Sequence, residues 1–297
     1  DTMRYYVYLA LAPWFWAGNW VAARGVHELI SPIGLNFSRW IIASLVLIPI
    51  SLPSVIRQWP IIRQEWGRLF LLSLMGSTLF SILVFWGLHH TTAINAVVLN
   101  SSLSFFIILG SWLFLRDRMT KRQAVGMVLS VIGVLIVIGK GDPTFLLHLE
   151  FGFGDMLILL AMPLWAAYSV VIKTHPTRLD SMGLVAVTSF MAAVMCTLCY
   201  GVEVALDPST LPEPGFELIS AIIYIALFPS IAAVFCWNEG IKGLSPNMAS
   251  YLYPLMPAYG TILSVFFLGE ELHMFQLVGL VVILAGVYIC TLPKRTA

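Results

Sequence analysis

Ten blocks of apolar residues separated by short polar stretches make up most of this chain. They run at roughly 5–23, 33–52, 69–88, 93–115, 122–139, 155–173, 182–203, 218–238, 247–268 and 275–292. Each approaches the ~20 residues that a helix needs to cross a hydrocarbon core about 30 Å thick. The pattern predicts an all-α membrane protein of ten transmembrane helices.

Charge gives the bundle an orientation. Thirteen of the 16 Lys and Arg residues fall in alternate connections: Arg4, Arg57, Arg63, Arg68, Arg116, Arg118, Lys121, Arg122, Lys173, Arg178, Lys242, Lys294 and Arg295. The opposite connections hold only Arg24 and Lys140, together with ten of the 15 acids. The positive-inside rule therefore places both termini in the cytoplasm. With 297 residues, length alone suggests about two soluble domains. A composition of 59% hydrophobic and 10% charged residues replaces that expectation with one membrane bundle whose first partner is the lipid bilayer. A net charge of +1 offers no nucleic-acid surface. All four cysteines lie inside spans, and the CxxC at Cys196 and Cys199 has no His or second pair beside it, so neither a disulfide framework nor a metal site is expected. The first apolar block is Trp-rich and lacks a cleavage pattern, which predicts a retained helix and no cleaved signal peptide.

The chain also aligns with itself. Gln123, Gly126 and Gly133 fall on Gln276, Gly279 and Gly286 at a shift of 153, and Trp16-Ala17 aligns with Trp165-Ala166. Five spans per half is an odd number, so the second half enters the membrane upside down. The expectation is two inverted five-helix repeats (5+5), residues 1–140 and 155–297, joined by a linker at 141–154 on the non-cytoplasmic side. Such repeats place substrate near the midplane and alternate access by rocking.

Several motifs resemble the drug/metabolite transporter superfamily and its EamA-type repeats: Leu268-Gly269-Glu270-Glu271-Leu272, Gln276-Leu277-Val278-Gly279, Leu284-Ala285-Gly286-Val287, Leu244-Ser245-Pro246, Gly154-Asp155 and Ser38-Arg39-Trp40. The first half carries a degenerate copy with Arg116-Asp117 where Gly-Glu is usual. The aromatic richness of the first, third and sixth spans is similar to that of bacterial amino-acid exporters of the superfamily. This resemblance implies export of aromatic and other neutral amino acids across a bacterial inner membrane, without a cofactor. An exporter of drugs or another small metabolite, with or without proton coupling, is the alternative.

Candidate site residues follow from polarity and helix breaks inside spans. Pro13 and Pro163 sit at matching mid-span positions of the two halves, and Pro254 and Pro257 interrupt the ninth span; a proline frees a carbonyl that lipid cannot satisfy. Trp16, Asn19 and Trp20, with Trp165 and Tyr168, lie too deep for an interfacial belt and can offer rings to a substrate. Asn95, Asn100 and Ser101 on the fourth span, and Tyr251 and Tyr253 on the ninth, are candidates for opposite ends of one route. Arg39 is the one charge well inside a span, and it either binds a substrate carboxylate or serves structure, the latter being favoured. No Asp or Glu is mid-span, and the candidate titrating groups of the spans are the pair His89 and His90 at the outer end of the third, which predicts facilitated export.

Other classes fit less well. Gly139-Lys140-Gly141-Asp142 and Gly152-Phe153-Gly154-Asp155 both spell GxGD, yet an aspartyl mechanism needs two facing carboxylates and none is available in mid-span. No GxSxG or HExxH occurs. A channel would need charge rings or a carbonyl filter. The small residues Gly126, Ser130, Gly133, Gly279 and Gly286 either pack within one chain or form a dimer face, leaving monomer and homodimer open.

Overall fold

A computed structural model describes residues 2–91, 96, 99–269 and 271–293, apart from the side chains of Arg24, Ser264, Phe267 and Leu268. Asn95, Glu270, Lys294 and Arg295 thus lie outside the described residues. All regular structure among the described residues is helical. The helices are α1 (Met3–Gly25), α2 (Pro32–Arg57), α3 (Trp59–His89), α4 (Leu99–Leu115), α5 (Lys121–Ile138), α6 (Phe153–Thr174), α7 (Ser181–Leu206), α8 (Phe216–Gly243), α9a (Pro246–Leu252), α9b (Leu255–Leu268) and α10 (Met274–Thr291).

Seven of these, α2, α3, α5, α6, α7, α8 and α10, are long and apolar enough to cross a membrane. Ten such helices were expected, and the physical reasons for the difference are local. The 23 residues of α1 carry Trp, Tyr, Asn and Arg, α4 is described only from Leu99, and the ninth block divides at Tyr253-Pro254. By contrast α3 begins ten residues before the predicted block, because Trp59-Pro60 starts a helix at once after Gln58 closes α2.

Helix starts are set by side chains that accept the first free amides. Ser31 Oγ accepts from Gly34 N at 3.0 Å, Asp180 Oδ1 from Gly183 N at 2.6 Å, and Ser245 Oγ from Met248 N at 3.1 Å. Thr120 and Gln123 form a reciprocal capping box on α5. In the linker, Asp142 caps a short helix (Pro143–Leu147), and its hydrogen bonds from Thr144 hold the carboxyl below the usual range.

The polarity of the bundle is inside out relative to a soluble protein. Large apolar side chains such as Phe216 and Phe266, 90% and 80% exposed, cover the outside, while Asn36, Arg39, Asn100, Gln123, Asn238 and Asn247 are buried. That distribution suits a hydrocarbon solvent, in which polar groups must find partners within the protein.

Packing follows a regular exchange. α2 packs on α7 and α5 on α10; α1 packs on α8 and α9b, just as α6 packs on α3 and α4. The α5–α10 contact is the closest, because glycines meet in pairs. A Cβ at Gly126 would lie 2.6 Å from Gly286 O, and one at Gly133 would lie 2.9 Å from Gly279 O. These small residues serve contact within the chain.

Interhelix bonds sort the connections into two ends. At one end, where α1 starts and α10 closes, Asp180 bonds Gln58 and Ser54, Arg178 pairs with Glu65 at 3.3 Å, Ser181 donates to Glu239, and Arg122 donates to the carbonyls of Leu292 and Pro293. At the other, linker end, Ser31 donates to Glu203 at 2.7 Å and Thr91 donates to Asp155.

Candidate functional site

Two π turns frame the middle of the bundle, Leu74–Leu79 in α3 and Phe228–Ala232 in α8. A π turn takes a carbonyl out of the ordinary helical ladder, and such turns recur at functional sites. Here a tryptophan from a neighbouring helix bonds a carbonyl in each. Trp40 Nε1 donates to Ser77 O at 2.9 Å, and Trp16 Nε1 donates to Pro229 O at 3.1 Å. Asn36 Nδ2 adds a second, 3.4 Å bond to Ser77 O. Ser230 Oγ donates to Ile225 O at 2.7 Å and accepts from Arg39 Nε at 2.7 Å, which ties the second turn to α2.

Between the turns lies a cavity with about 760 Å³ of empty space, its opening to solvent included. Its walls come from α1 (Trp16, Asn19, Trp20, Ala23), α2 (Arg39, Trp40), α3 (Gly76 to Leu88), α6 (Trp165), α8 (Pro229, Val234) and the break in the ninth segment (Tyr253, Met256), with Asn100 from α4. Ala23 and Leu88 extend it toward the linker end.

Its floor, on the side of the chain termini, is an aromatic layer. Trp16 meets Trp165 edge-on with centroids 5.5 Å apart, Trp237 at 5.2 Å and Tyr253 at 6.4 Å. Phe80 packs on Trp165 at 5.3 Å, and Tyr168 stacks beneath it at 4.7 Å. Gly76 makes the stack possible, since a Cβ there would come within 2.8 Å of the Tyr168 ring.

The sequence-predicted residues divide between this cavity and its surroundings. Trp16, Asn19, Trp20, Arg39, Asn100, Trp165 and Tyr253 line it. Tyr168 is behind Trp165, with its hydroxyl donating to Asn238 Oδ1 at 2.9 Å. Ser101, Pro254 and Pro257 line a smaller cavity of about 340 Å³, separated from the first by Tyr253, whose hydroxyl donates to Asn100 Oδ1 at 3.0 Å. Tyr251 is buried toward α5, 3.4 Å from Gln123 Oε1. His89 and His90 are exposed at the linker end of α3, outside the cavity. α1 and α6 continue through Pro13 and Pro163 without interruption; the proline that accompanies a break is Pro254. Sequence reasoning missed Trp237, fully buried in the aromatic layer with Nε1 on Ser169 Oγ, and both π turns. A signal for the turns existed: Ser77 and Ser230 are 153 positions apart, the shift of the repeat.

Arg39 is buried beside Trp40 and Phe85, with its guanidinium carbon 5.0 and 5.6 Å from their ring centroids. Those rings offer the cation a favourable face. No Asp, Glu or His is among the cavity's described lining residues. Among the described residues no cluster of three or more His, Cys, Asp or Glu side chains could hold a metal ion.

Comparison with known proteins gives the same kind of molecule. The chain is 28% identical to an uncharacterized transporter of Archaeoglobus fulgidus over 97% of both chains. It is 28% identical to the uncharacterized transporter YyaM of Bacillus subtilis over 76% of this chain and 73% of that one. A solved crystal structure superposes with a TM-score of 0.78 at 18% identity, covering 96% of this chain and 95% of the other, which is a likeness of fold. The model of the EamA-like transporter family matches twice, at residues 3–139 and 152–292. With its apolar helices and its cavity between them, this multi-pass membrane protein is a transporter and belongs to the EamA-like transporter family.

Proposed function

We propose that this transporter exports aromatic and other neutral amino acids by alternating access, in the manner of the bacterial amino-acid exporter YddG. The cavity carries the reading: aromatic walls, one guanidinium and no acid among its described lining residues. Aromatic walls suit an apolar or aromatic side chain. A lone fixed cation repels polycations and gives a diphosphate only one counter-charge. A small, partly apolar zwitterion satisfies both conditions.

The architecture proposed with it is ten spans in two inverted five-helix repeats, 1–140 and 155–297, with the linker 141–154 between them. Two observations support it. Packing partners exchange when five is added to the helix number, and the family model matches each half separately. The Lys and Arg bias argues for cytoplasmic termini, and the resemblance to bacterial amino-acid exporters for a bacterial inner membrane. In that orientation the polar bonds at the end with the termini close the cytoplasmic side, and the cavity lies on the periplasmic side of the aromatic layer. With no carboxylate among the cavity's described lining residues to carry a proton, export runs down the substrate gradient.

Uptake of labelled phenylalanine into liposomes holding the purified protein tests this. Saturable uptake that neutral amino acids compete away, with no accumulation driven by a pH gradient alone, is expected. Competition by a cationic drug and not by amino acids would transfer the reading to a drug exporter. Uphill accumulation under a pH gradient would replace facilitated export with proton coupling.

A further inference from the structure

The cavity holds two unmet demands of opposite kind. Arg39 has five N–H donors in a rigid fork, and its only described hydrogen bond uses Nε, on Ser230. Among the described residues its terminal nitrogens have no acceptor, and no carboxylate lies within 4.0 Å of it. A buried cation without a counter-ion costs several kcal/mol, and the rings of Trp40 and Phe85 offset only part of that. A purely structural post holding Ser230 would not require the remaining four donors.

The second demand is Asn19. Its Oδ1 is buried with no hydrogen-bond partner, and it is the one such atom that belongs to a lining residue of this cavity. Asn100, the other amide in the wall, is engaged: Oδ1 accepts from Tyr253 and Nδ2 reaches Met256 Sδ at 3.7 Å. The cavity therefore has one cationic donor fork and, on a lining residue, one buried idle acceptor, with aromatic surface around them.

We propose that Arg39 is the carboxylate anchor of the cavity and Asn19 the acceptor for the substrate's ammonium group, so that the site selects α-amino acids over amines or acids alone. This rests on the amino-acid reading above and makes it specific. Arg39 Nη1 and Nη2 hold the two carboxylate oxygens side by side, as guanidinium forks do. The ammonium group donates to Asn19 Oδ1, and the side chain rests on the aromatic walls. Because Nε of the same Arg39 bonds Ser230, the anchored carboxylate is one residue away from the π turn of α8.

The test uses the liposome assay with competitors that each lack one group: phenylalaninamide, without the carboxylate, and 3-phenylpropionate, without the ammonium. Each should compete about tenfold or more weakly than phenylalanine, as expected for a lost charge-assisted bond. In Arg39→Gln the advantage of phenylalanine over its amide should collapse toward one, and in Asn19→Leu its advantage over 3-phenylpropionate should do so. Ser230→Ala, which removes the Nε partner and the bond to Ile225 O but leaves Nη1 and Nη2 in place, should keep the first ratio. If wild type takes up phenylalanine but the amide competes equally, this assignment fails while the amino-acid reading stands. If Arg39→Gln keeps full discrimination, the arginine is structural and the proposal is overturned. If wild type takes up no phenylalanine, both fall together. Should Arg39→Gln not fold, the wild-type competitor ratios still decide.

Discussion

The two π turns occupy matching places in α3 and α8 but are held differently. In α3 the carbonyl of Ser77 receives both Trp40 and Asn36, residues one helical turn apart on α2 that also bond each other. In α8 the carbonyl of Pro229 receives Trp16 alone, and Ser230 is tied to Arg39. Asn36 is fully buried away from the cavity, whereas Trp16 and Arg39 are in its wall, as are Trp40 and Ser77 of the first turn. One turn thus has a donor beyond a substrate's reach, Asn36, whereas the other is held only by side chains that a bound substrate would touch. The lesson is that equal positions in a repeated chain can be divided between scaffold and response, with substrate contact linked to the shape of α8.

The sharpest way to break the scaffold turn is steric. In Gly76→Val the new side chain would collide with Tyr168 and Trp165 and lower stability by about 3 kcal/mol, read as an earlier thermal transition of the detergent-solubilised protein. On the other turn, Ser230→Ala strips Arg39 of its described hydrogen bond, at a cost of about 2 kcal/mol. Trp16→Phe leaves the Pro229 carbonyl without its indole donor and should cost about 1.5 kcal/mol, with a slowed transport rate. Trp40→Phe is the mildest, about 1 kcal/mol, because Asn36 still serves the Ser77 carbonyl. If Trp40→Phe slowed transport as much as Trp16→Phe, the division between the two turns would be wrong.

Much of this was legible in the sequence because hydropathy reports directly on membrane thickness. The apolar blocks located most helices, and the matched Gly126/Gly286 and Gly133/Gly279 contacts follow from a spacing visible in the chain. What hydropathy does not report is azimuth in a helix that is apolar all round. Trp165 and Tyr168, three residues apart, read alike; in the structure one lines the cavity and the other is turned to Asn238. Trp237, near the end of its predicted block, was not singled out, yet α8 runs on to Gly243 and buries it. The π turns left only Gly76-Ser77 and Pro229-Ser230 as marks. Pro13 and Pro163 were the stronger marks and proved compatible with unbroken helices, since neighbouring contacts can accommodate a proline inside a span.

The central claim is that substrate rests on the aromatic layer between the two turns. Equilibrium binding of labelled phenylalanine to the purified protein, wild type against the Trp16→Ala/Trp165→Ala double variant, tests it most directly. The account predicts saturable binding to wild type, abolished in the double variant while its elution profile stays that of a folded monodisperse protein. Undiminished binding by the double variant would contradict it.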